Sequence, residues 1–372
     1  MVYSQQHRSI SILMLPWLTH GHISPFLELA KKLTHKRNNL HFYICSTPVN
    51  LTSIKPKLSG KYSHCIEFVE LHLPHDELPE LPPHYHTTNG LPPHLMSTLK
   101  KAFNMSSSNF SDILQTLKPD LLIYDFLQPW APSLALSHNI PAVEFCTINA
   151  ATIISIFANH FMNSSLEFPF PGIHLRDYEI RMFKNQSGKK IVPVGPLVQD
   201  PLDQKTDEES PIIQWLNKRE KSSVVYVSFG SEYFLSKKEI EEIAHKLDLS
   251  KGWAPQAKIL QHPGVGGFVS HCGWSSVLES IKFGVPIIAM PMQLDQPVNA
   301  ILVEEVGVGV EAKRAEGGGL QREAIAEAIG DVVVKEIGEG VRMKALEVSD
   351  NMKKIEDEEI NDVLEQLVQL CA

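Results

Sequence analysis

With 372 residues, 43% of them hydrophobic, the chain is longer than an ordinary single domain and can bury two cores. Its formal charge of −9, with no cluster of Lys and Arg interleaved with aromatics, leaves no electrostatic footprint for nucleic acid or an anionic membrane and directs attention to a small-molecule partner. The five cysteines (Cys45, Cys65, Cys146, Cys272, Cys371) are odd in number, scattered and never spaced as C-x-x-C, so they suggest neither a disulfide framework nor a zinc site and fit a reducing, cytoplasmic setting.

In chain order, the first apolar run, Ile10 to Leu18, is interrupted by Pro16 and followed by no small-residue cleavage site. It reads as a buried first strand, and no later segment is long enough to span a bilayer. Strands are expected at Ser9–Leu15, Leu40–Cys45, Ile66–Leu71, Leu121–Tyr124 and Ala142–Phe145, separated by helical patterns. The first helix has Ser24 as expected N-cap and Pro25 at its first position, with Phe26, Leu29, Ala30 and Leu33 at core spacing. That places His22 on a loop between strand end and helix start, where ligands bind in open α/β sheets. The Pro- and His-rich stretch His72 to Pro93 can be neither a long helix nor a central strand, and is expected as a surface excursion bordering a substrate mouth.

Between Val194 and Pro211 the chain turns Pro- and acid-rich, the composition of an exposed linker. The expected organisation is a first Rossmann-like domain at 1–200, a linker at 201–211, a second at 212–352, and a tail at 353–372 that packs back on the first domain. Ile355–Leu370 within that tail reads as a charged amphipathic helix. Further strands at Val224–Ser228, Gly267–Ser270 and Pro286–Met290 repeat the alternation of strand and helix, so the fold class is α/β with two parallel sheets.

The richest chemistry lies in the 44 residues from Trp253 to Gln296. His271-Cys272-Gly273-Trp274-Ser275-Ser276 joins a strand end to a helix start, and Gly284 with Pro286 stops that helix. A helix N-terminus offers free N–H groups and a positive dipole end, which suits a diphosphate. Singly, each residue has an ordinary alternative: Ser276 to Glu279 as a capping box, Trp253 as a core aromatic, Asp295 as a helix cap. Their joint order and spacing outweigh those alternatives.

The run resembles, nearly end to end, the signature box of plant secondary-product glycosyltransferases, within family 1 of the UDP-glycosyltransferases. The resemblance implies the GT-B fold, two facing Rossmann-like domains with a cleft between them, the second holding the nucleotide sugar and the first the acceptor. It implies that Trp253 stacks on uracil and that Ala254 and Gln256 belong to the same nucleotide-binding stretch. It assigns His271 and Ser276 to the phosphates, within a turn that includes Gly273, Trp274 and Ser275, and Glu279 to the ribose hydroxyls. Asp295 and Gln296 match the residues for the sugar hydroxyls, where Gln is typical of glucose users, and Ser231, after the Val227–Ser231 strand end, matches a diphosphate contact. Ser275 stands where the wider family often has Asn.

Trp17 to Pro25 (WLTHGHISP) resembles the family's catalytic loop, whose His lies three residues before the Pro; that position is His22, not His20. Asp125, closing the strand in PDLLIYD, matches the acid that holds this His. Histidine ordinarily titrates near neutrality, so His22 can take the acceptor hydroxyl's proton while the carboxylate fixes the tautomer. One displacement at the anomeric carbon then inverts the centre and expels UDP. No Asp-x-Asp occurs, and the family needs no metal. UDP-glucose is the expected donor substrate, with no cofactor, and a monomer is expected.

Leu15–Leu33, Leu81–Phe103 and Tyr124–Pro132 resemble a narrower group that adds a sugar to one already present on a terpenoid, flavonoid or lignan, through a 1→2 or 1→6 bond. A small lipophilic or already glycosylated acceptor is the implied partner, with direct glucosylation of the aglycone as the alternative. Two junctions, near Gln186–Gly188 and Ser250–Lys251, are several dozen residues shorter than in family members, and the second omits a strand expected before Trp253. Loss of an internal strand should expose unpaired backbone, so tracts missing from this sequence are favoured over functional deletions. A Rossmann oxidoreductase is disfavoured because G-x-G-x-x-G is absent after the first strand. A sugar-nucleotide-binding protein without turnover is disfavoured by the presence of both His22 and Asp125.

Overall fold

The computed structural model describes residues 8–58, 60–74, 76–149, 152–153, 192–201, 210–230, 254–315 and 318–371. The chain divides into two compact units, one comprising Met1–Thr147, Leu202–Lys205 and Asp357–Ala372, the other Ile148–Pro201 and Thr206–Glu356. Most of the expected linker, and both short junctions, lie outside the described residues.

The first unit runs β1 (Ile10–Leu15), α1 (His20–Lys36), β2 (Leu40–Ser46), α2 (Pro48–Ile54), β3 (Ile66–Glu70), α3 (Met96–Met105), α4 (Ser107–Leu117), β4 (Leu121–Asp125), α5 (Ala131–Ser137) and β5 (Ala142–Phe145). The five strands lie in the order β3-β2-β1-β4-β5, all parallel. Strands covered on both faces need continuous apolar runs, and all five residues of β4 are buried. The strand order reverses between β1 and β4, which opens a crevice at the carboxyl ends of these strands. Trp17, Phe103, Phe110 and Leu114 belong to one buried cluster under this edge, where truncating a Leu to Ala costs about 2–5 kcal/mol.

Two expectations are corrected here. Helix α1 starts at His20 with Thr19 as N-cap, five positions ahead of Pro25, so Ser24 is not the cap and His22 occupies the helix's first turn rather than a loop. The cause is local: the Thr19 carbonyl accepts from both His22 N (3.1 Å) and Ile23 N (2.9 Å), closing the turn upstream, and Pro25 only forgoes the bond its missing N–H would have made. The His72 to Pro93 stretch has no long helix or strand, as expected, but it is not merely superficial. Leu73, Leu78, Leu81 and Leu91 are buried in the same cluster as Trp17 and Phe103, because its leucines supply apolar area that its prolines cannot organise into a regular element.

The second unit contains α6 (Pro211–Leu216), β6 (Val224–Ser228), α7 (Gln256–Gln261), β7 (Val265–Ser270), α8 (Trp274–Lys282), β8 (Ile287–Ala289), α9 (Gln296–Val306), β9 (Gly309–Glu311) and α10 (Arg322–Val333). Its parallel strands follow the order β6-β7-β8-β9 among the described residues. Strand β9 was not expected, since three residues leave no periodicity to read. All residues of β7 are buried, whereas all of β6 are only partly so, and among the described residues β6 pairs with β7 alone. Helix α11 (Ile337–Leu370) begins eighteen residues ahead of the expected Ile355 because Ala345 and Ser349 already face a buried surface one turn apart. Its part from Asp357 onward belongs to the first unit, where Asp357 pairs with Lys36 at 2.8 Å.

Candidate active site

On the first unit, the reversal of strand order brings together two residues that the sequence keeps far apart. His22, in the first turn of α1, has Nδ1 2.6 Å from Oδ2 of Asp125 at the end of β4. Asp125 is fully buried, and its carboxylate also accepts from Trp17 N (3.3 Å) and Leu127 N (3.1 Å). A carboxylate fixed by backbone donors can only accept, so Nδ1 carries the proton and Nε2 the lone pair. Thr147 Oγ1 lies 2.9 Å from the same Nδ1, a second oxygen on that proton which sequence reasoning did not find. The His22 side chain is 18% exposed, enough for a substrate hydroxyl to reach. The neighbouring His20 instead approaches Ser53 Oγ at 3.4 Å. In the same unit the His72 to Pro93 stretch, with Pro48, Val49 and Thr52, lines a cavity of about 440 Å³ that includes neither His22 nor Asp125.

On the second unit, the end of β7 and the start of α8 are joined by a tight turn. A Cβ added at Gly273 would stand 2.6 Å from His271 Nε2, and one at Gly230, where φ is +73°, would stand equally close. Both glycines are therefore dictated by the imidazole between them. Cys272 is buried with φ of +63°, a conformation rare for a residue with a side chain, and its N–H donates to Ser270 Oγ at 3.1 Å. Burial pushes its thiol up, so it stays protonated and is no nucleophile. Gly273 is the N-cap of α8, which rules out the capping box at Ser276 to Glu279: Ser276 already sits in the first turn. Trp274 packs against the Val277 and Ile281 cluster, and Ser275 beside it is partly exposed.

Gln256, at the start of α7, spends its amide on this helix. Its Nε2 donates to Glu279 Oε2 at 2.7 Å and to Ser276 Oγ at 3.1 Å, and its Oε1 accepts from Tyr226 at 3.5 Å. The residues expected to meet ribose and phosphate are thus already neighbours. Tyr226 stacks on Phe268, and burial pushes its phenol up to about 12. Ala254 precedes α7 in a partly exposed position. Ser231 and Trp253 lie outside the described residues.

Asp295 is the residue before α9, but its carboxylate makes no cap hydrogen bond; Oδ2 accepts instead from Asn299 Nδ2 at 2.8 Å. The Gln296 side chain is buried, with Oε1 accepting from Met292 N (2.9 Å) and Gln293 N (3.0 Å). Its oxygen is therefore committed to its own loop, and the amide meets a ligand only as a donor. Arg314 holds the same loop through Pro291 O at 2.6 Å. Neither Asn299 nor Arg314 was expected; the only signal for Asn299 was its place in the first turn after the box.

The Glycyrrhiza uralensis glycosyltransferase UGT73P12, solved with glycyrrhetinic acid 3-O-monoglucuronide, matches at a TM-score of 0.82 and 20% identity, over 97% of this chain and 96% of that one. The fold class is accordingly that of the GT-B glycosyltransferases. The family model described as UDP-glucoronosyl and UDP-glucosyl transferase matches residues 236–344. The β-D-glucosyl crocetin β-1,6-glucosyltransferase of Gardenia jasminoides is 44% identical, over 96% of this chain and 98% of the relative, and UDP-glucosyltransferase 29 of Panax ginseng is 47% identical over 98% of each. The chain belongs to the UDP-glycosyltransferase family. Both alignments run over 440 positions, against 372 residues here, so these relatives carry internal residues that this chain lacks. Among the described residues, no helix is long and apolar enough to cross a membrane.

Proposed function

We propose that the enzyme transfers glucose from UDP-glucose, with inversion, to a hydroxyl of a sugar already attached to a small plant metabolite. The observation that carries the chemistry is the His22–Asp125 pair, with the proton on Nδ1 and the lone pair on Nε2. Nε2 takes the proton of the acceptor hydroxyl as its oxygen attacks the anomeric carbon from the face opposite UDP. The bond from that carbon to the phosphate oxygen breaks, its electrons leave with UDP, and an α-linked donor gives a β-glycoside. The imidazolium formed at His22 is steadied by the Asp125 carboxylate.

In this reading the charge growing on the leaving diphosphate is met by His271, Ser276, Ser231 and the N-terminus of α8, and no metal takes part. Glu279 accepts from the ribose hydroxyls, and Trp253, with Ala254 and Gln256, takes the uracil. Asp295 accepts from the sugar hydroxyls and Gln296 Nε2 donates to them, an arrangement favoured by the commitment of the Gln296 oxygen to its own loop. The glycoside acceptor is supported by the Gardenia relative, whose name describes addition of glucose to a glucosyl crocetin. The five free cysteines support action in the reducing cytosol.

The test is UDP release with UDP-glucose and a panel of flavonoid and terpenoid monoglycosides and their aglycones, beside His22→Ala. Turnover that prefers monoglycosides and collapses in the variant is the expected result, with the new linkage read by NMR. Preference for aglycones would overturn the branching reading, and UDP binding without turnover would overturn transfer.

A further inference from the structure

The donor-side loops meet at one side chain outside the 44-residue box. Asn299, in the first turn of α9, is fully buried. Its Nδ2 donates to the Cys272 carbonyl and to Asp295 Oδ2, both at 2.8 Å. Both partners can only accept, so the two amide protons are committed and the amide cannot be turned over. Its Oδ1 accepts from Asn149 Nδ2, which fixes the other edge.

Both residues that Asn299 grips depend on support from outside their own turns. Cys272 is in the left-handed region, a conformation that costs on the order of 1–3 kcal/mol and persists only when its surroundings enforce it. Its carbonyl precedes Gly273, the cap of α8, so the grip on Cys272 aims the helix N-terminus. Asp295 is partly exposed, and its carboxylate lacks the cap bond that its position before α9 would normally give it. Asn299 holds Oδ2, and a carboxylate keeps further acceptor sites for a sugar hydroxyl.

We infer that Asn299 is a positioning residue for donor binding, which sets the Asp295 carboxylate for the sugar and, through Cys272, the turn that faces the diphosphate. The inference rests on the reading of Asp295 and of the His271–Ser276 turn as donor contacts. It predicts a split between ligands, because free UDP has no sugar and reports only the phosphate side.

The experiment is calorimetric titration of the whole chain and of Asn299→Ala, Asn299→Ser, Asp295→Ala and the Asp295→Ala/Asn299→Ala double variant, with UDP and with UDP-glucose, melting temperature recorded alongside. Asn299→Ala is expected to weaken UDP-glucose by about tenfold or more, the size of one lost charge-assisted hydrogen bond, and UDP by clearly less. In the Asp295→Ala background, removing Asn299 should leave the UDP-glucose to UDP affinity ratio unchanged within about twofold, since its carboxylate partner is already gone. Asn299→Ser, smaller but still a donor, should fall between wild type and alanine, and carries the test if the alanine variant does not fold. A UDP-glucose to UDP affinity ratio unchanged in Asn299→Ala and Asn299→Ser, with affinity either kept or lost equally for the two ligands, overturns the inference while leaving the donor reading intact. A wild-type chain that binds neither ligand overturns the donor reading and the inference with it.

Discussion

His22 Nδ1 and Asp125 Oδ2 stand 2.6 Å apart although 103 residues separate them in the chain. The parallel pairing of β1 with β4 puts both at the same sheet edge, and Trp17 N and Leu127 N hold the carboxylate in place. Asp125→Asn keeps the shape but presents an amide that can offer N–H groups to Nδ1, which destabilises the productive tautomer. Steady-state kinetics should show kcat lowered by roughly 10²–10⁴-fold in His22→Ala, and by a similar order in Asp125→Asn, with UDP affinity by calorimetry unchanged. Equal loss of UDP affinity would place the pair in donor binding instead.

Gly273→Ala tests the fit around His271. The glycine has an ordinary φ of −58°, so the substitution adds little backbone strain, yet its Cβ would lie 2.6 Å from the imidazole. The ring must move, and UDP affinity is expected to fall by about tenfold with only a small change in melting temperature. Gly230→Ala adds strain at φ of +73° and should lose both affinity and about 1–2 kcal/mol of stability. Retained UDP binding in both variants would remove His271 from the diphosphate site.

The helix that carries His22 also buries an ion pair. Lys31 Nζ donates to Glu28 Oε1 at 2.8 Å, with side chains only 2% and 6% exposed. Lys31→Met removes the ammonium from the Glu28 carboxylate and should lower stability in urea by about 1.5–3 kcal/mol, the size of one lost charge-assisted hydrogen bond, while Glu28→Leu/Lys31→Met should recover most of that loss. A double variant no more stable than the single one would mean that the pair contributes more than mutual neutralisation.

Alkaline pH should weaken the fold through two tyrosines. Burial is the main cause that pushes Tyr226 up to about 12, and burial followed by the Glu144 charge does the same for Tyr124. In the unfolded chain a phenol titrates near 10, so between about pH 10 and 12 the folded state holds more protons than the unfolded one. The stability they contribute is complete below pH 10 and is lost as pH rises toward 12. Denaturant melts across that window should show the decline, reduced in Tyr226→Phe, and phenolate absorbance should show late-titrating tyrosines.

The sequence by itself determined the architecture and gathered the candidate donor residues into one stretch. Apolar runs such as Ile10–Leu15 and Leu121–Asp125 fold as strands because a parallel sheet covered on both faces has no polar side to encode, and the box from Trp253 to Gln296 concentrates its chemistry in one continuous stretch. Tertiary structure alone decided which atoms are committed. Thr147 reaches His22 across 125 residues, and Asn299 reaches Cys272 across 27, contacts that no local spacing announces. The start of α1 at His20 was decided by a backbone turn at Thr19, which side-chain capping preferences at Ser24 and Pro25 do not record. Spacing along a chain fixes which face of an element a side chain occupies, but a hydrogen bond depends on distances of tenths of an ångström, which are set only when separate elements pack against each other.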